Sequence, residues 1–212
     1  MNVHYCPTLS LKNHLVKGTE IMARRSQQEE NKEKILDAIL ELGTKHGFQS
    51  IPMASLAKRS GLSPGTFYLY FKNKEDMIHW VFEAVKKRSE IAVLKDYDKT
   101  FTLRQQFKIL FYNIIKYYID HPAEFGFIEK YSSENYGSDL SVFSKDVENA
   151  FARIYKEGRK ENLLRKLPFF ALTSLVHGPI VALVRHHICG HLKCTNSLIK
   201  VMEEACWSSV IS

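Results

Sequence analysis

The residue types that could ligate a metal ion are concentrated in one stretch, HHICGHLKC at 186–194. It supplies three histidines and two cysteines: His186, His187, Cys189, His191 and Cys194. Tetrahedral zinc sites use such atoms in paired spacings that close around a turn. Gly190 is expected to end a helix between the pairs, so a solvent-exposed helix end fits the stretch better. Metal binding or thiol sensing by this cluster is the alternative function, and no metal site is predicted.

The sequence contains none of the common enzyme motifs considered next. There is no glycine-rich phosphate loop, no G-x-S-x-G elbow and no H-E-x-x-H pair. The four cysteines are too few and too uneven for a disulfide framework. The start of the chain lacks the continuous apolar region of a secretory signal. We therefore expect no enzyme activity, no cofactor and a cytoplasmic location.

The segment 56–77, LAKRSGLSPGTFYLYFKNKEDM, combines a short helix, a glycine turn and a second helix that starts at Ser63. These are the parts of a helix-turn-helix, whose second helix uses its N-terminal residues on base edges in the major groove. Pro64 suits the first helical position. Gly65 permits close approach to DNA, and Thr66 offers a hydroxyl and a methyl group for a thymine.

Helical spacing divides the aromatic residues of this segment into two pairs. Phe67 and Phe71 are four apart and are expected to pack against the preceding helices. Tyr68 and Tyr70 project elsewhere, where a phenol can donate to a phosphate. Lys74, at the start of the next helix, adds positive charge and a helix N-terminus. Two aromatic residues thus hold the helix, and two are expected to hold DNA.

The elements that position these residues all have helical periodicity, which predicts an all-α fold. The predicted helices span about 27–47, 52–60, 63–71, 74–94, 102–120, 123–135, 139–161, 166–189 and 195–210. The longest apolar run, 175–184, is expected to be broken by His177, Gly178 and Pro179 before it could cross a membrane.

Net charge does not locate a binding surface. The formal charge is +7 and the pI about 9.1, which favours a polyanionic partner. The net positive charge is divided evenly between the first helices and the rest of the chain. The helix-turn-helix motif, rather than net charge, therefore indicates where DNA binds.

Residues 33–78 resemble the DNA-binding domain of TetR/AcrR-type transcriptional regulators. The similarity includes a Gly-aromatic end of the first helix, Gly-Leu-Ser in the turn, and the run GTFYLYFKNKE. It implies that Ser63, Pro64, Gly65, Thr66 and Tyr68 lie at or near bases, while Tyr70 and Lys74 contact phosphates. Ile51 and Pro52 stand where the family often has Thr or Ser at the start of the second helix, so the contact made there is not expected.

The resemblance also implies a helical C-terminal domain that binds an effector and dimerises through its last two long helices. The candidate interface residues on those helices are apolar: Leu172, Leu175, Val176, Ile180, Leu183, Val184, Leu198, Ile199, Met202 and Trp207. Abundant aromatic residues favour an effector cleft between helices. The candidate effector contacts are Phe107, Phe111, Tyr118, Phe127, Tyr131, Phe151, Tyr155 and His177.

Together these features predict a homodimeric transcriptional regulator with four segments. They are a disordered extension (1–21), a helix-turn-helix DNA-binding domain (22–78), a connecting helix and linker (79–100), and an effector-binding and dimerisation domain (101–212). The expected partners are a palindromic double-stranded DNA operator, a small and mostly apolar effector, and a second copy of the chain. We expect a repressor that the effector releases, and no membrane partner.

Overall fold

The computed structural model describes residues 8–48, 50–134 and 143–212, and within these ranges all regular structure is α-helical. The helices are α1 (Thr8–His46), α2 (Met53–Ser60), α3 (Pro64–Tyr70), α4 (Lys74–Val93), α5 (Leu103–Asp120), α6 (Pro122–Glu134), α7 (Lys145–Lys160), α8 (Phe169–Ile188) and α9 (Asn196–Val210). One isolated antiparallel bridge joins Leu164 to Ile211. The all-α prediction is confirmed.

The chain divides into two compact units, Met1–Ile78 and His79–Ser212. Helix α4 begins in the first unit and ends in the second. The predicted connecting segment, 79–100, belongs with the second unit in this division.

The first unit is built around apolar side chains that α1 spaces at helical intervals. Ile35 and Ile39 are fully buried, as are Leu56 of α2 and Phe67 of α3. The rings of Phe67 and Phe71 lie 5.5 Å apart and both are buried. Residues four apart on a helix share a face, so this pair fixes α3 against the core, as the spacing predicts.

Helix α1 is longer than the periodicity predicts. The sequence indicates a helix from about residue 27 after a disordered extension, whereas the helix begins at Thr8. The two differ over residues 8–26, where Leu, Lys and Glu have good helix propensity and no proline interrupts. Residues 1–7, including Cys6, lie outside the described residues.

The second unit is arranged around α5. Its buried side chains include Leu110, Phe111, Ile114 and Ile115, which belong to one core cluster with residues of α7, α8 and α9. The start of the helix is fixed by a capping box, in which Thr102 and Gln105 each bond the other's backbone N–H.

The beginnings of α7 and α8 differ from the predicted ones. The predicted start at 139 lies outside the described residues, and α7 begins at Lys145 after the N-cap Ser144. Helix α8 begins at Phe169 rather than 166, because Pro168 precedes it. A residue before a proline disfavours helical geometry, which accounts for the later start.

Helix α8 is continuous through His177, Gly178 and Pro179, in agreement with the predicted helix 166–189. Pro179 lies inside the helix, where it removes one backbone hydrogen bond that the surrounding turns tolerate. With 20 residues and a mean hydropathy of 1.3, α8 is long and apolar enough to span a membrane by length and composition alone. The prediction that no such run exists is wrong for α8. Only 28% of this apolar stretch is buried inside the chain, so much of it faces outward.

Candidate functional site

The turn before α3 is fixed by backbone geometry that requires glycine. Gly61 has φ +73°, and its N–H donates to the Lys58 carbonyl while the Leu62 N–H donates to the Ala57 carbonyl. These bonds form a Schellman motif, which ends α2 through a left-handed residue. Gly61 therefore sets the direction in which the chain enters α3.

The first turn of α3 is capped by a side chain. The Ser63 hydroxyl accepts a hydrogen bond from the Thr66 N–H at 3.1 Å and lies 2.8 Å from the Thr66 hydroxyl. Pro64 occupies the first helical position, where its missing N–H costs nothing. Two of the predicted base contacts, Ser63 and Thr66, thus also hold the helix start.

The outer face of α3 is open to solvent. Ser63, Pro64 and Gly65 are exposed, Tyr68 is 55% exposed, and Leu69 is 85% exposed. The sequence reasoning did not include Leu69. Its signal was present, because Leu69 lies four residues after Gly65 and nearly opposite the buried Phe67. Helix α3 therefore presents hydroxyl, backbone and apolar groups together.

Gly65 has no structural requirement for glycine within this chain. Its φ is not positive, and a Cβ built there meets only the Ser63 Oγ, at 3.9 Å. This distance is an ordinary van der Waals contact, so an alanine side chain has room.

Tyr70 and Lys74 both make contacts inside the first unit. The Tyr70 hydroxyl accepts a hydrogen bond from the Asn31 side chain at 3.1 Å, and the Lys74 ammonium donates to the Ile51 carbonyl at 2.9 Å. A phenol that accepts still has its own hydrogen to donate. The contact with Asn31 thus orients a Tyr70 hydroxyl that remains able to donate to a phosphate, and the contact with Ile51 fixes the position of the Lys74 ammonium.

The N-terminus of α4 has its own partners. The Asn73 side chain accepts from the Asp76 N–H at 2.8 Å, and the Lys72 N–H donates to the Asp76 carboxylate at 3.2 Å. Glu75 and Asp76 in the first turn complement the helix dipole. These carboxylates oppose a phosphate at this end, so any phosphate contact there depends on the lysine side chains.

The predicted effector residues separate into two sets. Phe107, Phe111, Tyr118 and Phe127 are at most 4% exposed and pack in the core. The Phe107 ring lies 5.0 Å from that of Trp207, and the Tyr118 ring 5.4 Å from that of Phe125. Tyr131 is half-buried and stacks on Phe82 of α4 at 4.3 Å.

The second set lies along α7 and α8. Phe143 is 5.8 Å from Phe151 and 6.0 Å from the ring of His177, and we call these three residues the ring cluster. Farther along the same helices, Tyr155 lies 5.2 Å from Phe169. Burial lowers the pKa of His177 below the ordinary value for histidine, against a smaller opposing effect of the Glu129 charge. His177 is therefore neutral near pH 7.

The histidines and cysteines of 186–194 bond mainly to one another and to backbone. The His186 and His191 Nδ1 atoms lie 3.2 Å apart, and the Cys194 N–H donates to the His187 Nδ1 at 3.1 Å. Burial raises the pKa of the Cys194 thiol, which disfavours a reactive thiolate. No group of three or more potential metal ligands occurs among the residues that the structure describes.

A cavity of about 600 Å³ opens elsewhere in the second unit, near the start of α5. Its lining includes Lys99, Phe101, Gln106, Arg153 and Glu157. None of the predicted effector residues contributes to it. Its charges of both signs do not match a mostly apolar effector.

Most of the predicted dimer-interface residues serve the core of their own chain. Those that are buried are Leu172, Ile180, Leu183, Val184, Ile199 and Trp207. The interface prediction is wrong for these side chains, because they are buried in the core cluster of their own chain. Leu175 is 39% exposed and Val201, which was not predicted, is 59% exposed.

Two protein-family models match this chain, one over nearly all of the second unit and the other over the helix-turn-helix. Residues 81–212 match the family described as "Tetracyclin repressor-like, C-terminal domain". Residues 35–81 match "Bacterial regulatory proteins, tetR family". Together the two matches span residues 35–212 and so include parts of both units.

Individual relatives agree with these matches. The chain is 26% identical over 136 residues to an uncharacterized HTH-type transcriptional regulator of Haemophilus influenzae, a match that covers 64% of this chain and 71% of the relative. It is 40% identical over 50 residues to the fatty acid metabolism regulator protein of Bacillus subtilis, which covers 24% of this chain and 26% of that protein.

A solved structure has the same fold. The crystal structure of a TetR family transcription regulator from Marinobacter aquaeolei superimposes with a TM-score of 0.75 at 21% identity, over 89% of this chain and 99% of that one. The resemblance seen in residues 33–78 is confirmed. The chain belongs to the tetR family of bacterial regulatory proteins and is a DNA-binding transcriptional regulator rather than an enzyme.

Proposed function

We propose that the chain is a homodimeric repressor that binds a near-palindromic operator and releases it when a small, mostly apolar effector enters the second unit. The observation that carries this proposal is the two-sided α3. Phe67 and Phe71 anchor one side, while Gly65, Tyr68 and Leu69 are open on the other. A recognition helix needs this division, because its inner side fixes the position from which the outer side reads bases.

The outer side of α3 suits the major groove. The Thr66 and Leu69 side chains offer methyl groups to thymine, and Gly65 allows the backbone to approach base edges. Tyr70 and Lys74, oriented by Asn31 and Ile51, donate to phosphates on either side. Phosphate contacts fix the register, and base contacts supply specificity.

A second copy of the chain accounts for the exposed apolar side of α8 and α9. Leu175, Gly178 and Ala182 lie on one exposed stripe of α8, and Val201 and Ala205 on α9. A Cβ added at Gly178 meets no atom of this chain within 4 Å. Small residues allow two helices to pack at the short end of the usual 8–10 Å separation. The proposed dimer covers α8 with protein, and the proposed location is the cytoplasm.

Helix α4 is the proposed link between effector and operator. In the second unit, Arg88 of α4 bonds the buried carboxylate of Glu124 at 3.1 Å, and Tyr117 donates to the same carboxylate. The Phe82 and Tyr131 rings add a stacked contact between α4 and α6. An effector that moves α6 would shift α4 and change the spacing of the two recognition helices.

A competition experiment tests this proposal. The binding of the full chain to the DNA upstream of its own coding region would be measured by fluorescence anisotropy against a shuffled duplex of equal length, at several salt concentrations. We expect preference for the upstream fragment at every salt concentration, with affinity falling as salt rises. Equal affinity for both duplexes would reject operator recognition.

A further inference from the structure

The cavity near the start of α5 is lined by four charged side chains that have no charged partner in their own chain. Lys99 and Arg153 carry positive charge, and Glu157 and Glu161 carry negative charge. None of the four forms an ion pair in the part of the chain that the structure describes. Their charges sum to zero, so the cavity offers two cations and two anions to a molecule that enters it.

Other arginines of the second unit do find a carboxylate. Arg88, Arg104 and Arg185 each pair with a glutamate of another helix. Arg153 and Glu157 are four apart on α7, a spacing at which opposite charges often pair. They line the same cavity and form no pair. Both charged groups therefore remain available to a ligand.

A buried amide fixes the wall of the cavity formed by the loop before α5. Gln106 is 1% exposed, and its side-chain nitrogen donates to the Phe101 carbonyl at 2.6 Å and to the Lys99 carbonyl at 3.4 Å. Its side-chain oxygen accepts from the Tyr97 hydroxyl at 2.8 Å. Because the amide is fully bonded, the backbone that carries Lys99 and Phe101 is in place before any ligand binds.

Helix α7 forms the facing wall and separates the charges along its axis. Arg153, Glu157 and Glu161 follow at intervals of four, so they share one side of the helix end. A rise of about 1.5 Å per residue places Arg153 and Glu157 about 6 Å apart along the axis. Burial raises the pKa of the Tyr97 hydroxyl and the Arg153 charge opposes that rise, so Arg153 lies near the Tyr97 side of the cavity.

The cavity also has an apolar surface. Phe101 lines it and is 42% exposed, and Leu103 beside it is half-buried. An exposed aromatic ring inside a cavity can cover the apolar part of a ligand. The volume of about 600 Å³ is in the range of small-molecule sites.

From this arrangement we propose that the cavity binds a small zwitterion, a molecule with one carboxylate, one ammonium group and an apolar side group, as in an aromatic amino acid. Arg153 binds the carboxylate, because a guanidinium can donate two parallel hydrogen bonds to it. Glu157 accepts from the ammonium group, and Phe101 packs on the side group. A ligand with a single charge leaves one of these two partners unmatched.

This site is additional to the proposed function. None of the residues expected to contact the apolar effector lines the cavity. Its test contains no DNA, so failure of the site would leave the proposed repressor untouched, and failure of the repressor would leave the site untouched.

Three probes with the same phenyl group test the ligand class at pH 7. They are L-phenylalanine, 3-phenylpropanoate, which lacks the ammonium group, and 2-phenylethylamine, which lacks the carboxylate. Their binding to the full chain would be measured by isothermal titration calorimetry. We expect L-phenylalanine to bind at least about tenfold more tightly than either analogue. Equal or tighter binding of an analogue, or no binding of L-phenylalanine, would overturn the proposal.

Two variants test the residues. Arg153→Gln should lower L-phenylalanine affinity about tenfold and leave 2-phenylethylamine affinity unchanged, because that probe has no carboxylate. Glu157→Gln should lower L-phenylalanine affinity about tenfold and leave 3-phenylpropanoate affinity unchanged. Neither residue has an ion pair to lose, so the melting temperature without ligand should stay the same in both variants.

Lys156→Gln is the matched control, since Lys156 is an exposed residue of α7 outside the cavity lining. It removes one positive charge, as Arg153→Gln does, and should leave L-phenylalanine affinity unchanged. An equal loss of affinity in Lys156→Gln, or full affinity in Arg153→Gln, would overturn the assignment of the carboxylate to Arg153.

Discussion

Replacing Gly65 by alanine should separate folding from DNA binding. The added Cβ meets only the Ser63 Oγ, at 3.9 Å, and the backbone φ is one that alanine adopts freely. Glycine within a helix is about 0.5–1 kcal/mol less stable than alanine, and a first-turn position takes the lower part of that range. Gly65→Ala should therefore stabilise the first unit by about 0.5 kcal/mol.

This change is measurable by thermal unfolding followed by circular dichroism. For a unit of this size, 1 kcal/mol shifts the melting temperature by about 4–8 °C, so a rise of about 2–4 °C is expected. Affinity for the upstream DNA should fall by at least about tenfold, because the methyl group occupies the space that the DNA backbone or a base edge needs.

Gly61→Ala is the matched control, four residues earlier. At φ +73° an added Cβ has free space but strained backbone, so this variant should lose about 1 kcal/mol of stability. The two variants should thus move stability in opposite directions. Wild-type DNA affinity in Gly65→Ala would refute the close approach, and a lower melting temperature would refute the reading of the local geometry.

Four further outcomes follow from the structure. Gly178→Leu should shift the chain from dimer to monomer in sedimentation velocity, and an unchanged dimer would place the interface elsewhere. Because burial lowers the pKa of His177 in the folded state, the unfolded state binds more protons as the pH falls through about 6.5. The free energy of unfolding should therefore decrease from about pH 7.5 to 5.5, and His177→Gln should make that decrease smaller. Glu124→Gln leaves the Arg88 cation without its carboxylate, so the free energy of unfolding measured in urea should fall by about 1–3 kcal/mol. A decrease of less than about 0.5 kcal/mol would show that the ion pair does not stabilise the fold. Cys189 is exposed, whereas burial raises the pKa of the Cys194 and Cys206 thiols. Cys189→Ser should therefore remove the fast phase of labelling by a thiol reagent, and a fast phase that persists in this variant would contradict the prediction.

Local periodicity predicted the helices because the buried side of an amphipathic helix has an apolar residue at every third or fourth position. The start and end of α5, and the capped start of α3 at Ser63, follow from such spacing and from cap residues. The continuation of α8 through Pro179 was also predicted. Its capacity to span a membrane by length and composition was not, because His177, Gly178 and Pro179 were expected to interrupt the apolar run. The start of α1 at Thr8 could not be predicted, because the residues that follow it show no helical repeat of apolar residues.

Sites were predictable where the motif is local. The order Gly61, Ser63, Gly65 and Phe67 fixes both turn and anchor within one short segment, so the outer face of α3 could be inferred. Which helix a residue packs against is a tertiary property, so the sequence could not distinguish the core ring of Phe111 from the half-buried ring of Phe151.

Hydroxyl-radical footprinting of the full chain on its upstream DNA tests the central claim most directly. A dimer whose two α3 helices read the major groove should protect two half-sites whose centres lie about 10–10.5 base pairs, or a multiple of that, apart. Tyr68→Ala and Leu69→Ala should weaken both half-sites together. A single protected region, or protection that these variants leave unchanged, would contradict recognition of an operator by paired α3 helices.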